Sequence, residues 1–204
     1  TSEVYGRATS ERFHEGDDLL IGPPTHFRWS YAASKALDEF LALAFLKEGR
    51  LDPIVVRLFN TVGPRQTGRY GMVLPRFVES ALAGHPLRVF GDGTQSRCFC
   101  HVTDTVRALS GLMDHPGSSG HIFNVGTEVS TSILELAQRV IHLLQSRSEI
   151  VLVPYEQAYG PGFDDMQRRM PDTGAVRRFL DWEPVHSLDE AIMDVARELR
   201  KGAR

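Results

Sequence analysis

The chain has 204 residues, enough for one compact domain or for a large and a small lobe. Hydrophobic residues make up 42% and charged residues 24%, an ordinary globular balance, and no apolar run approaches the roughly 20 residues that span a bilayer. A net charge of −3 offers nothing to nucleic acid or to an anionic membrane surface, so neither is an expected partner.

Residues 1–6 read as the end of a strand and a turn. Residues 7–28, with Gly22-Pro23-Pro24, read as a loop. Residues 30–48 have helical spacing in Leu37, Phe40, Leu41, Ala44 and Phe45, and Gly49 ends the run. Ile54 to Phe59 is a short apolar run of the kind found in a buried parallel strand. After a loop over 60–71, a helix is predicted from Met72 to Ala83, stopped by Gly84 and Pro86. Leu87 to Phe90 is a short strand, Gly91-Asp92-Gly93 a turn, and Arg97 to Val102 a second strand. A helix follows over 103–114, with Thr103 as its expected N-cap and Asp104 supporting its first turn by charge. His121 to Val125 and Ile150 to Val153 read as strands, 131–144 as a helix, 154–171 as a loop, and 172–180 and 187–200 as short helices. This alternation predicts an α/β fold with mainly parallel strands, and the short strands between Gly84 and Val102 suggest a smaller lobe woven into it.

The two cysteines, Cys98 and Cys100, stand two apart. On one strand they would point the same way, which makes a bridge between them difficult. Cys98-Phe99-Cys100-His101 lacks further ligands at a workable spacing, so no metal site is expected, and reduced thiols point to a cytoplasmic protein.

The chemistry lies in three ordered motifs. Tyr31 and Lys35, in Trp29-Ser30-Tyr31-Ala32-Ala33-Ser34-Lys35, share a helical face, and a nearby ammonium favours the phenolate, turning a phenol into a usable base. Thr1-Ser2-Glu3-Val4-Tyr5-Gly6 lies upstream. Arg57-Leu58-Phe59-Asn60-Thr61-Val62-Gly63-Pro64-Arg65 lies downstream. Asn60 follows the C-terminal end of a strand, where ligands bind in open α/β sheets. Arg97, in Gly91-Asp92-Gly93-Thr94-Gln95-Ser96-Arg97, offers a planar fork suited to phosphate oxygens, with a buried ion pair as the alternative reading.

In this order the motifs resemble the extended short-chain dehydrogenase/reductase family, the NAD-dependent epimerases, dehydratases and decarboxylases of nucleotide sugars. The resemblance runs from Thr1 to about residue 195. It implies a Rossmann-type parallel sheet, with residues 1–84 as the remainder of the NAD-binding domain and 85–204 as mainly the substrate-binding lobe. No strand here is followed by the glycine-rich dinucleotide loop. The chain is therefore expected to be the C-terminal part of a longer enzyme, a homodimer when complete, and too short to hold NAD tightly alone.

The resemblance also implies roles. Tyr31 would take the proton of a sugar C4 hydroxyl while NAD takes the hydride, Lys35 would hold the nicotinamide ribose, and Thr1 would hydrogen-bond the reacting hydroxyl. Asn60 and Arg97 would hold the nucleotide diphosphate. Thr1-Ser2-Glu3 looks like the UDP-glucuronate decarboxylases, where Ser2 and Glu3 would lie by the C5 carboxylate. The segment from Tyr159 to Pro171, followed by Leu180-Asp181-Trp182-Glu183-Pro184, resembles the same enzymes and puts their catalytic arginine at Arg169, which would also touch substrate. The activity implied is decarboxylation of UDP-glucuronate after transient C4 oxidation. A 4-epimerase such as UDP-glucose 4-epimerase, a 4,6-dehydratase, or a non-catalytic nucleotide-sugar-binding module are the alternatives.

Overall fold

The computed structural model describes residues 1–68, 72–159 and 168–202. A 3-10 turn at Ser2–Tyr5 opens the chain, followed after a long loop by α1 (Arg28–Lys47), β1 (Val55–Leu58), β2 (Thr61–Val62) and α2 (Val73–Ala83). Next come β3 (Leu87–Phe90), β4 (Ser96–Cys98), β5 (Cys100–His101), α3 (Val102–Asp114) and β6 (Ile122–Val125). The chain continues through β7 (Ser130–Ser132), α4 (Ile133–Leu144), β8 (Ile150–Val153), α5 (Tyr155–Tyr159), β9 (Arg168–Arg169), α6 (Gly174–Leu180) and α7 (Leu188–Gly202).

Parallel pairing dominates. β1 lies beside β6 with Val55 opposite Ile122, β2 beside β5, and β3 beside β8 with Leu87 opposite Ile150. β4 is the centre of a three-stranded sheet, antiparallel to β7 and parallel to β9. The largest core cluster joins Leu74, Phe77 and Val78 of α2 to Val89, Leu136, Val140 and Ile192. A second packs Leu112 of α3 against Phe123, Val125, Val176 and Trp182. The third lies beneath the opening turn, where Val4 and Tyr5 meet Phe13, Ala36 and Phe59.

Several elements depart from the sequence expectation for local reasons. Residues 2–5 form a turn rather than a strand end, because the Thr1 hydroxyl accepts the Glu3 N–H at 3.4 Å and Gly6 closes the turn at φ 60°. A side chain on Gly6 would collide with the Leu20 carbonyl as well as strain that φ. The strand expected over 97–102 breaks at Phe99, since Ser96–Cys98 pair with β7 and β9 while Cys100–His101 pair with β2. Cys98 and Cys100 therefore lie on different strands, both buried and both free. His101, not Thr103, caps α3: its ring Nδ1 accepts the Thr103 N–H at 3.1 Å. α4 begins two residues later than expected, because Thr131 and Ser132 belong to β7 and the Ser132 hydroxyl accepts the Glu135 N–H at 3.0 Å. The expected loop over 154–171 contains α5 and β9 at its ends. Its middle, residues 160–167, lies outside the described residues.

Candidate active site

The opening turn rests on a buried polar frame. The Tyr5 hydroxyl donates to Asn124 Oδ1 at 2.7 Å, and Asn124 Nδ2 donates to the Phe13 carbonyl at 2.8 Å. The Arg57 guanidinium stacks over the Tyr5 ring at 4.7 Å and pairs with Glu39 at 2.8 Å. This frame joins α1, β1 and β6 under residues 1–6, so the turn is fixed from below while Glu3 stays part-exposed above it.

Glu3 meets Arg169. Arg169 Nη1 lies 2.6 Å from Glu3 Oε1, and the arginine side chain is only 7% exposed. Burial pushes the Arg169 guanidinium down from its usual range, Glu3 opposes that, and the charges of Arg97 and Arg28 add to it. The register explains the meeting of distant residues. β9 pairs with β4 so that Arg169 stands opposite Arg97. On the other side, the Phe13 N–H donates to the Met170 carbonyl and the Asp172 N–H to the Phe13 carbonyl, each at 2.9 Å. Two unconnected ladders thus hold Arg169 over the turn. Arg97, partly buried, donates from Nη1 to the Ser96 carbonyl at 2.8 Å. Ser2 is buried beside Glu3.

Tyr31 and Lys35 occupy the open face of α1. Tyr31 is 52% exposed. The Lys35 ammonium sits 2.9 Å from Asp38, whose hydrogen bond and charge raise its pKa from the ordinary value. In this structure its partner is therefore Asp38. Asn60 lies between β1 and β2, where its carbonyl accepts the Cys100 N–H at 2.9 Å. The structure thus gathers Thr1, Ser2, Glu3, Arg97 and Arg169, with α1 packed against the same turn.

One charged residue escaped the sequence reading. Arg28 begins α1, its Nη2 4.0 Å from Glu3 Oε2 and its guanidinium 5.4 Å from the centre of the buried Trp29 ring. Positions 28, 31 and 35 follow i, i+3, i+7, so Arg28 continues the Tyr31–Lys35 stripe by one turn. That spacing was legible in the sequence; the nearness of Glu3 was not. Among the described residues, no three or more His, Cys, Asp and Glu are grouped to hold a metal ion, and no helix is long and apolar enough to cross a membrane.

A parallel α/β fold thus places the polar cluster of Thr1, Ser2, Glu3, Arg97 and Arg169 beside the turn against which the Tyr31–Lys35 helix packs. A sequence model of the NAD dependent epimerase/dehydratase family matches residues 1–126, and the chain belongs to that family. A UDP-N-acetyl-alpha-D-glucosaminuronate decarboxylase of Bacillus cytotoxicus is 41% identical over 98% of the chain and 62% of its own length. UDP-glucuronic acid decarboxylase 1 of Danio rerio is 37% identical over 94% of the chain and 44% of its own length. The chain thus spans about half to three fifths of the relatives it matches. Among solved structures, an epimerase of Methanothermobacter thermautotrophicus superposes with a TM-score of 0.87 at 26% identity, covering 99% of this chain and 57% of that one. A dTDP-glucose 4,6-dehydratase of Bacillus anthracis, solved with NAD, gives 0.82 at 28% identity, covering 98% and 60%. The fold is the Rossmann-type α/β arrangement expected from the sequence.

Proposed function

We propose that the full-length protein decarboxylates a UDP-linked uronic acid through transient oxidation at C4, with NAD as cofactor. The observation that carries this reading is the Glu3–Arg169 pair. A buried guanidinium beside the opening turn is a fork for a sugar carboxylate. The names of the 41% and 37% identical relatives, both uronate decarboxylases, support it.

The donor set on α1 fits part of the cofactor. Lys35 offers ammonium donors and Tyr31 a phenol on an open face, the groups a ribose diol and a reacting hydroxyl require. When bound, NAD would supply reversible removal of a hydride from the sugar. Tyr31 would hold and return the proton of the C4 hydroxyl, and Thr1 would orient that hydroxyl. Arg169 would fix the C5 carboxylate β to the C4 carbonyl. There the breaking C–C bond leaves its electron pair delocalised onto the carbonyl oxygen. Glu3 and Ser2 would line the same side and manage the proton that replaces carbon dioxide. Arg97 and Asn60 would hold the diphosphate.

Two finer readings go with this proposal. The apolar residues Leu37, Phe40 and Leu41 exposed on α1 support a homodimer, which sedimentation of the full-length protein tests. The two free buried thiols support a cytoplasmic location.

The test is incubation of the full-length protein and NAD with UDP-glucuronate, UDP-N-acetylglucosaminuronate, UDP-glucose and dTDP-glucose, followed by product masses. Loss of carbon dioxide from a uronate is expected. Glu3→Gln and Arg169→Ala should each slow that loss more than the first oxidation, so that NADH or a keto sugar builds up. A product of unchanged mass epimerised at C4 would replace this reading with the 4-epimerase one. Binding without turnover would favour the non-catalytic module.

A further inference from the structure

We propose that Glu39 and Arg57 form a positioning pair that fixes where α1 sits against the opening turn, and so where Tyr31 stands relative to Thr1. This rests on the C4 oxidation described above and adds two residues to it. In that step Thr1 orients the sugar hydroxyl and Tyr31 takes its proton. The two residues stand on different elements, so the step depends on the setting of α1 against residues 1–6. Proton transfer needs heavy atoms about 2.6–3.2 Å apart, and a misplacement of about 1 Å can cost roughly a hundredfold in rate.

Apolar packing keys that setting poorly. The buried residues of α1 are Trp29, Ala32 and Ala36, and the helix contributes only Ala36 to the buried cluster that holds Val4 and Tyr5. A methyl group offers little to resist sliding. Directional bonds supply what is missing. Glu39 lies one turn beyond Lys35, on the face that carries Tyr31 and Lys35. Arg57 Nε lies 3.1 and 3.2 Å from the two Glu39 oxygens, and Arg57 Nη2 lies 2.8 Å from Glu39 Oε2. A guanidinium bonded through two nitrogens fixes direction as well as distance.

The same guanidinium reaches the turn. It lies 4.7 Å from the centre of the Tyr5 ring, and Asn124, opposite Arg57 in the β1–β6 register, accepts the Tyr5 hydroxyl at 2.7 Å. Arg57 Nη1 also donates to the Glu15 carbonyl at 3.1 Å. One cation thus ties the helix that bears Tyr31 to the turn that bears Thr1, with the Arg57 and Glu39 side chains only 4% and 12% exposed. A buried ion pair adds little net stability, because desolvation offsets much of the attraction. Its contribution here is a single setting of α1, which apolar side chains filling the same space would not define.

Kinetics of the full-length protein with NAD and UDP-glucuronate, together with urea unfolding, test this. Glu39→Asp keeps both charges and withdraws the carboxylate by one methylene. It should lower kcat by about tenfold or more and leave KM within about threefold. Its pH–rate profile should keep its shape, since Tyr31 and Lys35 share one helix and move together. Glu39→Met combined with Arg57→Met replaces the pair by apolar side chains, a change that is often neutral for stability. This double variant should unfold at about the same urea concentration as the original and still show the lowered kcat. A pair that serves stability alone predicts the opposite, with kcat returning as stability returns. Turnover of either variant within about threefold of the original, a loss confined to KM, or a shifted pH profile of Glu39→Asp overturns the proposal. Glu39→Asp decides alone if the double variant does not fold. Epimerisation of UDP-glucuronate in place of decarboxylation removes the decarboxylase reading and leaves this one, since both reactions begin at C4. Failure of the original protein to oxidise any of the nucleotide sugars removes both.

Discussion

Replacing Asp104 by Asn should cost the fold roughly 2–3 kcal/mol at neutral pH. Asp104 is fully buried at the start of α3. Its Oδ2 accepts the Val185 N–H at 3.1 Å and the His186 N–H at 2.9 Å, and lies 3.1 Å from the His186 ring. Its Oδ1 accepts from Arg107 at 2.7 Å. A hydrogen bond to a charged group contributes about 1.5–3 kcal/mol and a neutral one about 0.5–1.5, so the two backbone bonds together lose about 2 kcal/mol when the charge goes. Arg107 is 43% exposed, so its share is screened to under ~1 kcal/mol. For a protein of this size the melting temperature should fall by roughly 5–10 °C. Asp104→Ala should cost more than the Asn change, since it removes the acceptor of the Val185 and His186 amides altogether. Burial pushes the Asp104 carboxyl up, but the His186 and Val185 amides and the His186 imidazole outweigh it, and the net direction is down. A carboxylate lowered in the folded state stabilises fully above its unfolded value, near 4, and loses that contribution as pH falls through its folded value. Urea unfolding of the full-length protein at several pH values gives both numbers. An Asn variant within about 0.5 kcal/mol of the original at pH 7, or a gap that widens on acidification, would refute the reasoning.

Two further outcomes are expected. Tyr31→Phe in the full-length protein should abolish turnover while leaving nucleotide-sugar affinity nearly unchanged, as steady-state kinetics and calorimetry will report; substantial residual turnover removes Tyr31 from the base role. Burial raises Cys98 to about 12 and Cys100 to about 11, so neither should react with a thiol reagent at pH 8 in the folded protein, and both should react in denaturant.

Much of the fold was written locally. Leu87 to Phe90 and Ile150 to Val153 read as strands from their short apolar runs, and both form over those residues, although Val151 and Leu152 stay exposed. Elements of two or three residues were not legible, since β2, β7 and β9 are too short to show a period and exist only through their partners. The same limit applied to the site. Glu3 and Arg169 were named from motifs, but their contact depends on β9 choosing β4, which no local pattern encodes. Asp104 was read as a helix-end charge; the peptide groups of residues 185 and 186 that it holds lie 81 and 82 positions away. His101 displaced Thr103 as a cap because its ring is drawn inward, stacked on His186 at 4.6 Å, a tertiary effect.

The strand that carries Arg169 has a mechanical and evolutionary consequence. Residues 168–172 are tied to β4 on one side and to Phe13 on the other, yet none of them belongs to the three core clusters. Backbone bonds to β4 and Phe13 seat the segment, while its side chains face polar partners: Arg169 meets Glu3, and Asp172 accepts the Gly174 N–H. Exchanging these five residues between family members would alter which group stands beside Glu3 while leaving the three hydrophobic clusters untouched. A change at this segment can then alter the group beside Glu3 without repacking the hydrophobic clusters, provided Glu3 keeps a cation.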